Sequence, residues 1–309
     1  MKPKSKWVKP STQAFFREAD QLPDYSRFDR LHAYIYGRWI YFYIGLGRNN
    51  HPLVRALTPL FKGFGKLLPQ KPLPENGSGT LADGYHGKVI SAETARQMVT
   101  INQEIRIDDL EHVIPYPRAR AIILQNPAHI VALDCPCRMA QENPCLPMDV
   151  CLVVGEPFAS FVSEHHPNHT RWISQQEAVE IIQAEHQRGH VSHAFFKDAM
   201  LGRFYAICNC CECCCGAMNA HRNGTPMLAS SGYVCVVAED LCAGCGTCEE
   251  VCQFSAISAA EGYAVVDYAA CMGCGVCLEH CEMEALALER DENKGIPLEI
   301  QRLMEEAAQ

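Results

Sequence analysis

The chain spells C-x2-C-x2-C-x3-C twice, as CAGCGTCEEVC from Cys242 and CMGCGVCLEHC from Cys271, an offset of 29 residues. No other spacing in the sequence restricts the fold as tightly. Three thiolates so spaced wrap one corner of an iron–sulfur cubane, and the fourth, beyond the loop, ligates a second cluster. Gly244, Gly246, Gly273 and Gly275 stand between the thiols, where a positive φ lets backbone amides approach the cluster sulfurs. Zinc in two four-cysteine sites is the competing chemistry, but zinc motifs commonly separate two C-x2-C pairs by a longer loop.

These runs belong to a set of 19 cysteines in 309 residues. An odd number in a mid-sized chain fits poorly with a secreted disulfide scaffold, which is usually short and even-numbered. Met1-Lys-Pro-Lys-Ser-Lys carries charge, and no apolar stretch with a cleavage site follows it. The expectation is a cytoplasmic protein whose thiols stay reduced and available to soft metals.

The repeat resembles a bacterial-type ferredoxin with two [4Fe–4S] clusters, over about 50 of the 309 residues. The resemblance implies that Cys242, Cys245, Cys248 and Cys281 hold one cluster, and Cys271, Cys274, Cys277 and Cys252 the other. Ala256 and Ala285 match the small residue that follows each run in that family. Gln253 and Glu282 stand where the family has proline, so each run gains a backbone N–H. The whole chain is similar to prokaryotic iron–sulfur proteins in which a ferredoxin segment follows a cysteine-rich domain.

Eleven further cysteines lie upstream, ten of them in two groups. Cys135, Cys137, Cys145 and Cys151 form one group in CPCRMAQENPCLPMDVC; Cys208, Cys210, Cys211, Cys213, Cys214 and Cys215 form the other in CNCCECCCG. Each group ends or follows a predicted strand, so both can meet at one edge of a domain. In an extended segment the neighbours 210 and 211, 213 and 214, and 214 and 215 point to opposite faces. One cubane uses four ligands, so ten thiols imply two further clusters or one larger, non-cubane cluster. Disulfides are disfavoured by strain between adjacent cysteines and by cytoplasmic redox poise. Zinc or unligated redox thiols are the remaining readings. Cys235, in the apolar GYVCVV, reads as a buried core residue.

The expected fold class is α+β. A basic, aromatic and mostly helical segment (1–68) precedes a Pro- and Gly-rich linker (69–84) and a mixed α/β cysteine-rich domain (85–235). A ferredoxin-type dicluster domain (236–290) and a C-terminal helix (291–309) follow. Helices are expected from Ser91 to about Glu104, over YPRARAIILQNP with Pro117 in its first turn, and from a Ser174–Glu177 capping box to Gly189. Strands are expected at HIVALDC, VCLVVG, VSHAFF and RFYAIC.

Residues 1–71 hold 13 of the 27 Lys and Arg, 4 of the 36 Asp and Glu, and 13 of the 26 aromatics. The remainder is strongly acidic, which excludes a nucleic-acid partner by repulsion. Two readings of 1–68 stay open: peripheral contact with an anionic membrane, or packing against protein. His186, His190 and His193, and His165, His166 and His169, read as structural or solvated rather than zinc-binding. A proton-donating role beside a redox centre stays open for either group. GFGKLLP and GSG lack the full spacing of nucleotide-binding loops.

Three functions fit these residues. The first is electron transfer to redox partner proteins, with two [4Fe–4S] clusters and one or two further clusters in the middle region. The second is a reductase that uses an unusual cluster there as its substrate site, fed by the ferredoxin segment. The third is a carrier that delivers clusters.

Overall fold

The computed structural model describes residues 8–47 and 79–307, apart from residues 24, 109 and 261. The expected linker at 69–78 and the later part of the basic segment lie outside the described residues.

Three helices open the chain: α1 (Pro10–Ala19), α2 (Arg27–Arg38) and α3 (Ile40–Gly47). Ser26 and Asp29 close a capping box on α2, which satisfies two of the free N–H groups at its start. The central region then runs β1 (Tyr85–Val89), α4 (Ala92–Val99), β2 (Ile105–Ile107), β3 (Ile122–Leu133), α5 (Pro136–Met139) and β4 (Cys151–Glu156). It continues with α6 (Phe158–His165), β5 (Thr170–Ile173), α7 (Gln175–Gln187), β6 (Val191–Lys197), β7 (Arg203–Cys210), α8 (Gly216–Arg222) and β8 (Leu228–Ala229). Last come β9 (Tyr233–Val237), α9 (Thr247–Val251), β10 (Ile257–Ala260), β11 (Tyr263–Val266), α10 (Val276–Glu279), β12 (Leu286–Arg290) and α11 (Ile300–Ala307). The protein is a mixed α and β structure.

The central sheet is mixed, with strand order β2-β3-β4-β7-β6-β1-β8 and β5 also on β3. Its pairs are antiparallel except β1 with β8. One predicted helix is recovered closely. Ser174 Oγ accepts from the Glu177 amide at 3.1 Å to open α7, and Gly189, at φ +82°, follows its end. The helix from Ser91 is shorter than expected, since Thr100 caps α4 and β2 begins at Ile105.

One expectation is overturned. YPRARAIILQNP is not a helix, because Ile122 to Leu133 form the longest strand of the sheet. Its β-branched residues face strands on both sides: Ile122 and Ile123 pair with β2, and Ile130 and Val131 pair with both β4 and β5. Pro127 is tolerated because the ladder with β4 is broken between Gln125 and Ile130, with Asn126 at φ +46°. A proline at such a bulge forfeits no ladder hydrogen bond.

Some of the described N-terminal aromatics pack within the protein. Phe15 packs at a tilt against Phe158 and Phe161 of α6, with ring centroids 6.2 and 5.4 Å away, and all three are buried. Each such side chain contributes about 1.5–3 kcal/mol through burial. Arg203 of β7 is buried and bonds Glu18 of α1 at 2.6 Å. Phe28, Leu31, Trp39 and Phe42 remain exposed on α2, the α2–α3 junction and α3. Among the described residues no helix is long and apolar enough to cross a membrane.

The C-terminal strands repeat the 29-residue offset in space. Val237 pairs with Leu286 and Val266 with Ile257; Cys235 pairs with Leu288 and Ala264 with Ala259. Every pair of one ladder maps onto a pair of the other when 29 is added to one member and subtracted from its partner. The two halves are therefore interlocked by a pseudo-twofold, each lending one strand to the other's ladder.

Candidate metal centres

Strands β3, β4 and β7 are neighbours, so the loop leaving β3, the start of β4 and the end of β7 converge on one end of the sheet. Cys135 follows β3, Cys137 sits in α5, and Cys151 opens β4. Cys208 and Cys210 end β7, two residues apart and on one face. Cys151 and Cys208 are register partners. The two upstream groups thus meet, and they divide into two sets that cut across the sequence groups.

The first set is a ring of six. Cys135 contacts Cys137 and Cys151, Cys151 contacts Cys208, Cys215 contacts Cys137 and Cys210, and the charge of Cys210 acts on Cys208. All six line one cavity of about 60 Å³, which Cys211 and Cys214 also reach, with Tyr36, Tyr85, Tyr205 and Asn209 in its wall. Their protonation shows how crowded the ring is. A hydrogen bond from Cys215 holds Cys210 down at about 6, with burial opposing and the facing His193 assisting. Bonds to Cys137 and Cys210, and burial, push Cys215 far up. One thiolate forms at the expense of its neighbours, so only an added cation permits several to ionise together. Six soft donors around one cavity, four of them buried, could hold metal.

The second set is Cys145, Cys211, Cys213 and Cys214, whose sulfurs all lie within 4.8 Å of one another. Cys145 Sγ is 3.1 Å from Cys213 Sγ, and Cys213 Sγ is 3.7 Å from Cys214 Sγ. The alternation expected of adjacent cysteines holds for 210 and 211 and for 214 and 215, which are divided between the sets. It fails for 213 and 214, because residues 212–214 form a turn rather than an extended segment.

Both loops are fastened by polar residues that the sequence analysis did not single out. Arg138, beside Cys137, bonds Glu185 of α7 at 2.7 Å, His190 Nδ1 at 3.1 Å and the Asn209 carbonyl at 3.3 Å. Asn209, between Cys208 and Cys210, donates to the Val150 carbonyl at 3.0 Å and accepts from Ser192 Oγ at 2.8 Å. The signals were a charged residue inside C-P-C-R and an amide inside C-N-C, both next to cysteines and neither explained by them.

In the C-terminal repeat, Gly244 and Gly273 have φ of +63° and +64°. A Cβ at Gly273 would lie 2.2 Å from the Tyr233 carbonyl oxygen, and one at Gly244 would lie 2.5 Å from that of Gly262. Only glycine allows those loops to close. The Ala264 amide donates to Cys242 Sγ at 3.3 Å, and its pseudo-twofold mate, the Cys235 amide, donates to Cys271 Sγ at 3.5 Å. Burial raises the Cys274 thiol, and the charges of Cys277, Cys252 and Cys271 add to it. Cys252 thus lies close enough to Cys274 of the other run to act on it. Glu282, next to Cys281, acts on the exposed Cys245. The proposed cubane ligands fit such clusters in two respects: paired loops that exclude any Cβ, and amides aimed at the sulfurs. Cys235 is buried on β9, with its own sulfur 3.7 Å from Cys277 Sγ.

The repeat is docked onto the central region. Gln253 Oε1 accepts from the amide of Glu212, which stands between Cys211 and Cys213, at 2.8 Å. His186 Nδ1 lies 2.8 Å from Glu279, and His280 Nε2 contacts the Gln187 carbonyl at 3.0 Å. His165, His166 and His169 instead fasten α6 and its following turn. They contact Thr12 at 2.8 Å, the Gly37 carbonyl at 2.7 Å and Asp134 at 2.9 Å. No family model, curated protein or solved structure matches the chain.

Proposed function

We propose that this is an iron–sulfur electron-transfer protein whose C-terminal cysteines hold two [4Fe–4S] clusters and whose central cysteines hold further metal. The clusters supply one-electron chemistry when bound. The observation that carries the reading is the hydrogen bond from the Glu212 amide to Gln253. It ties the residue after Cys252 to the turn bearing Cys211, Cys213 and Cys214. On this reading the cysteine sets form a file from the exposed Cys245, through the half-buried Cys274, to the ring.

The surface around Cys245 supports a basic redox partner. Between Arg222 and Arg290 there is no Lys or Arg, while Glu239, Asp240, Glu249, Glu250, Glu282 and Glu284 are exposed. An acidic field of this kind accelerates encounter with a cationic protein. Redox titration followed by low-temperature EPR tests the proposal: two interacting one-electron centres are expected, and a chain with no paramagnetic state on reduction rejects it.

A second reading, reduction of a small molecule at the ring, is favoured by the cavity wall. Tyr36 Oη and Tyr205 Oη are 3.1 Å apart. Lys197 does not line the cavity but lies behind its wall, with its ammonium 4.3 Å from the Tyr36 ring and 3.9 Å from that of Tyr85. Burial brings Lys197 down to about 7, where it can hold or give up a proton at neutral pH. Carbon monoxide or cyanide should then perturb one EPR signal, and unchanged spectra would remove this reading.

A further inference from the structure

The four thiols at the 212–214 turn differ from the other cysteines in how closely they gather. Their mutual distances are at most 4.8 Å, and among the described residues this is the one group of three or more such donors so close. The eight cysteines of the repeat do not gather this way, nor do the six of the ring. A cubane interposes its irons and sulfides between its ligands and holds the thiolates apart. A lone tetrahedral ion with metal–sulfur bonds of about 2.3 Å needs them roughly 3.8 Å from one another.

We propose that Cys145, Cys211, Cys213 and Cys214 hold a single divalent ion, zinc or iron, with no sulfide bridge. Four thiolates close the coordination sphere, so the site is structural, with no open position for a substrate. Each thiol that binds gives up its proton to solvent. The geometry also shows what the ion secures. Cys145 comes from the loop between β3 and β4, and the other three come from the turn after β7. The ion staples these two segments together, and with them the Glu212 amide that Gln253 accepts from. Cys211 and Cys214 are buried and Cys213 is exposed, so the ion sits at the rim with protein behind it. The inference rests on the reading of these thiols as metal ligands, but not on the [4Fe–4S] assignment downstream.

The test compares the full chain, purified anaerobically, with its Cys145→Ser/Cys213→Ser variant, measuring metals and acid-labile sulfide per chain. The variant should lose about one ion and keep all of its sulfide. Loss of iron and sulfide together, about four of each, would mean a cubane and overturn the proposal. Unchanged metal content would overturn it too, as would a Cys145–Cys213 disulfide in the parent's mass spectrum. If the parent contains no sulfide and the variant still loses one ion, the [4Fe–4S] assignment fails and this site stands. Should the variant not fold, absorption spectroscopy of the parent decides for zinc, with four sulfurs at about 2.3 Å and no metal neighbour expected. Mössbauer spectroscopy decides for iron, with a separate high-spin ferrous component expected; only cluster-type spectra, or a metal neighbour at the zinc edge, would refute it.

Discussion

Replacing Arg138 by Met should destabilise the protein severely. Arg138 and Glu185 have side chains only 1% exposed and meet at 2.7 Å. Removing the guanidinium leaves the buried carboxylate with only His190 at 2.7 Å and the half-exposed Arg188 at 3.0 Å. Breaking a buried ion pair in this way costs about 3–5 kcal/mol. For a chain of this size that is an apparent melting shift of roughly 6–15 °C, read by far-ultraviolet circular dichroism under anaerobic conditions. The pH dependence carries a sign. Burial opposes ionisation of Glu185, but the bonds from His190 and Arg138 win and hold it below the ordinary carboxylate range. A depressed carboxylate stabilises above its unfolded pKa, and that stability is lost as pH falls through the folded value. Arg138→Met removes the guanidinium's share of that lowering while burial and the His190 bond remain, so Glu185 is held down less and the gap between parent and variant should narrow on acidification. The double variant Arg138→Met/Glu185→Leu should recover much of the loss, because two apolar side chains leave no orphaned charge. A single variant melting within about 2 °C of the parent, or a double variant as poor as the sum of both singles, would refute this reasoning.

Other perturbations follow from the same geometry. Gly273→Ala places a methyl group against the Tyr233 carbonyl and should abolish metal loading by the Cys252, Cys271, Cys274 and Cys277 set, read as iron per chain; a fully loaded variant contradicts the loop reading. Gln253→Leu removes the acceptor of the Glu212 amide and should slow internal electron equilibration in stopped-flow reduction without changing iron content. Association with a basic redox protein should weaken as salt rises from 0.05 to about 0.2 M, because the Debye length shrinks below about 10 Å. Flotation with anionic liposomes at low salt tests membrane contact through the exposed Phe28, Trp39 and Phe42; a chain that stays at the bottom lacks such a surface.

Much of this architecture was legible from short-range pattern. The Ser174 cap, the β6–β7 pair and the strand at residues 129–133 all follow from local periodicity and turn chemistry. Residues 117–127 misled because Pro117 and the Arg and Ala residues after it suit a helix start, while the bulge that accommodates Pro127 exists only once β4 is in place. The meeting of the upstream cysteines followed from strands ending near them. Their division into four and six did not, because it depends on a turn at 212–214 that brings adjacent thiols to one side. Arg138 and Glu185 are 47 residues apart, and nothing local in either suggests the other. Cys235 was within reach of the sequence: adding the 29-residue offset lands on Ala264, the residue whose amide bonds Cys242.

The account stands or falls on the metal held by the repeat. Iron and acid-labile sulfide should be measured in the anaerobically purified chain, alongside a variant carrying Cys242, Cys245, Cys271 and Cys274 as Ser. The account predicts that the variant loses about eight iron and eight sulfide and retains the metal of the central region. A parent chain with zinc and no sulfide at these cysteines would contradict it.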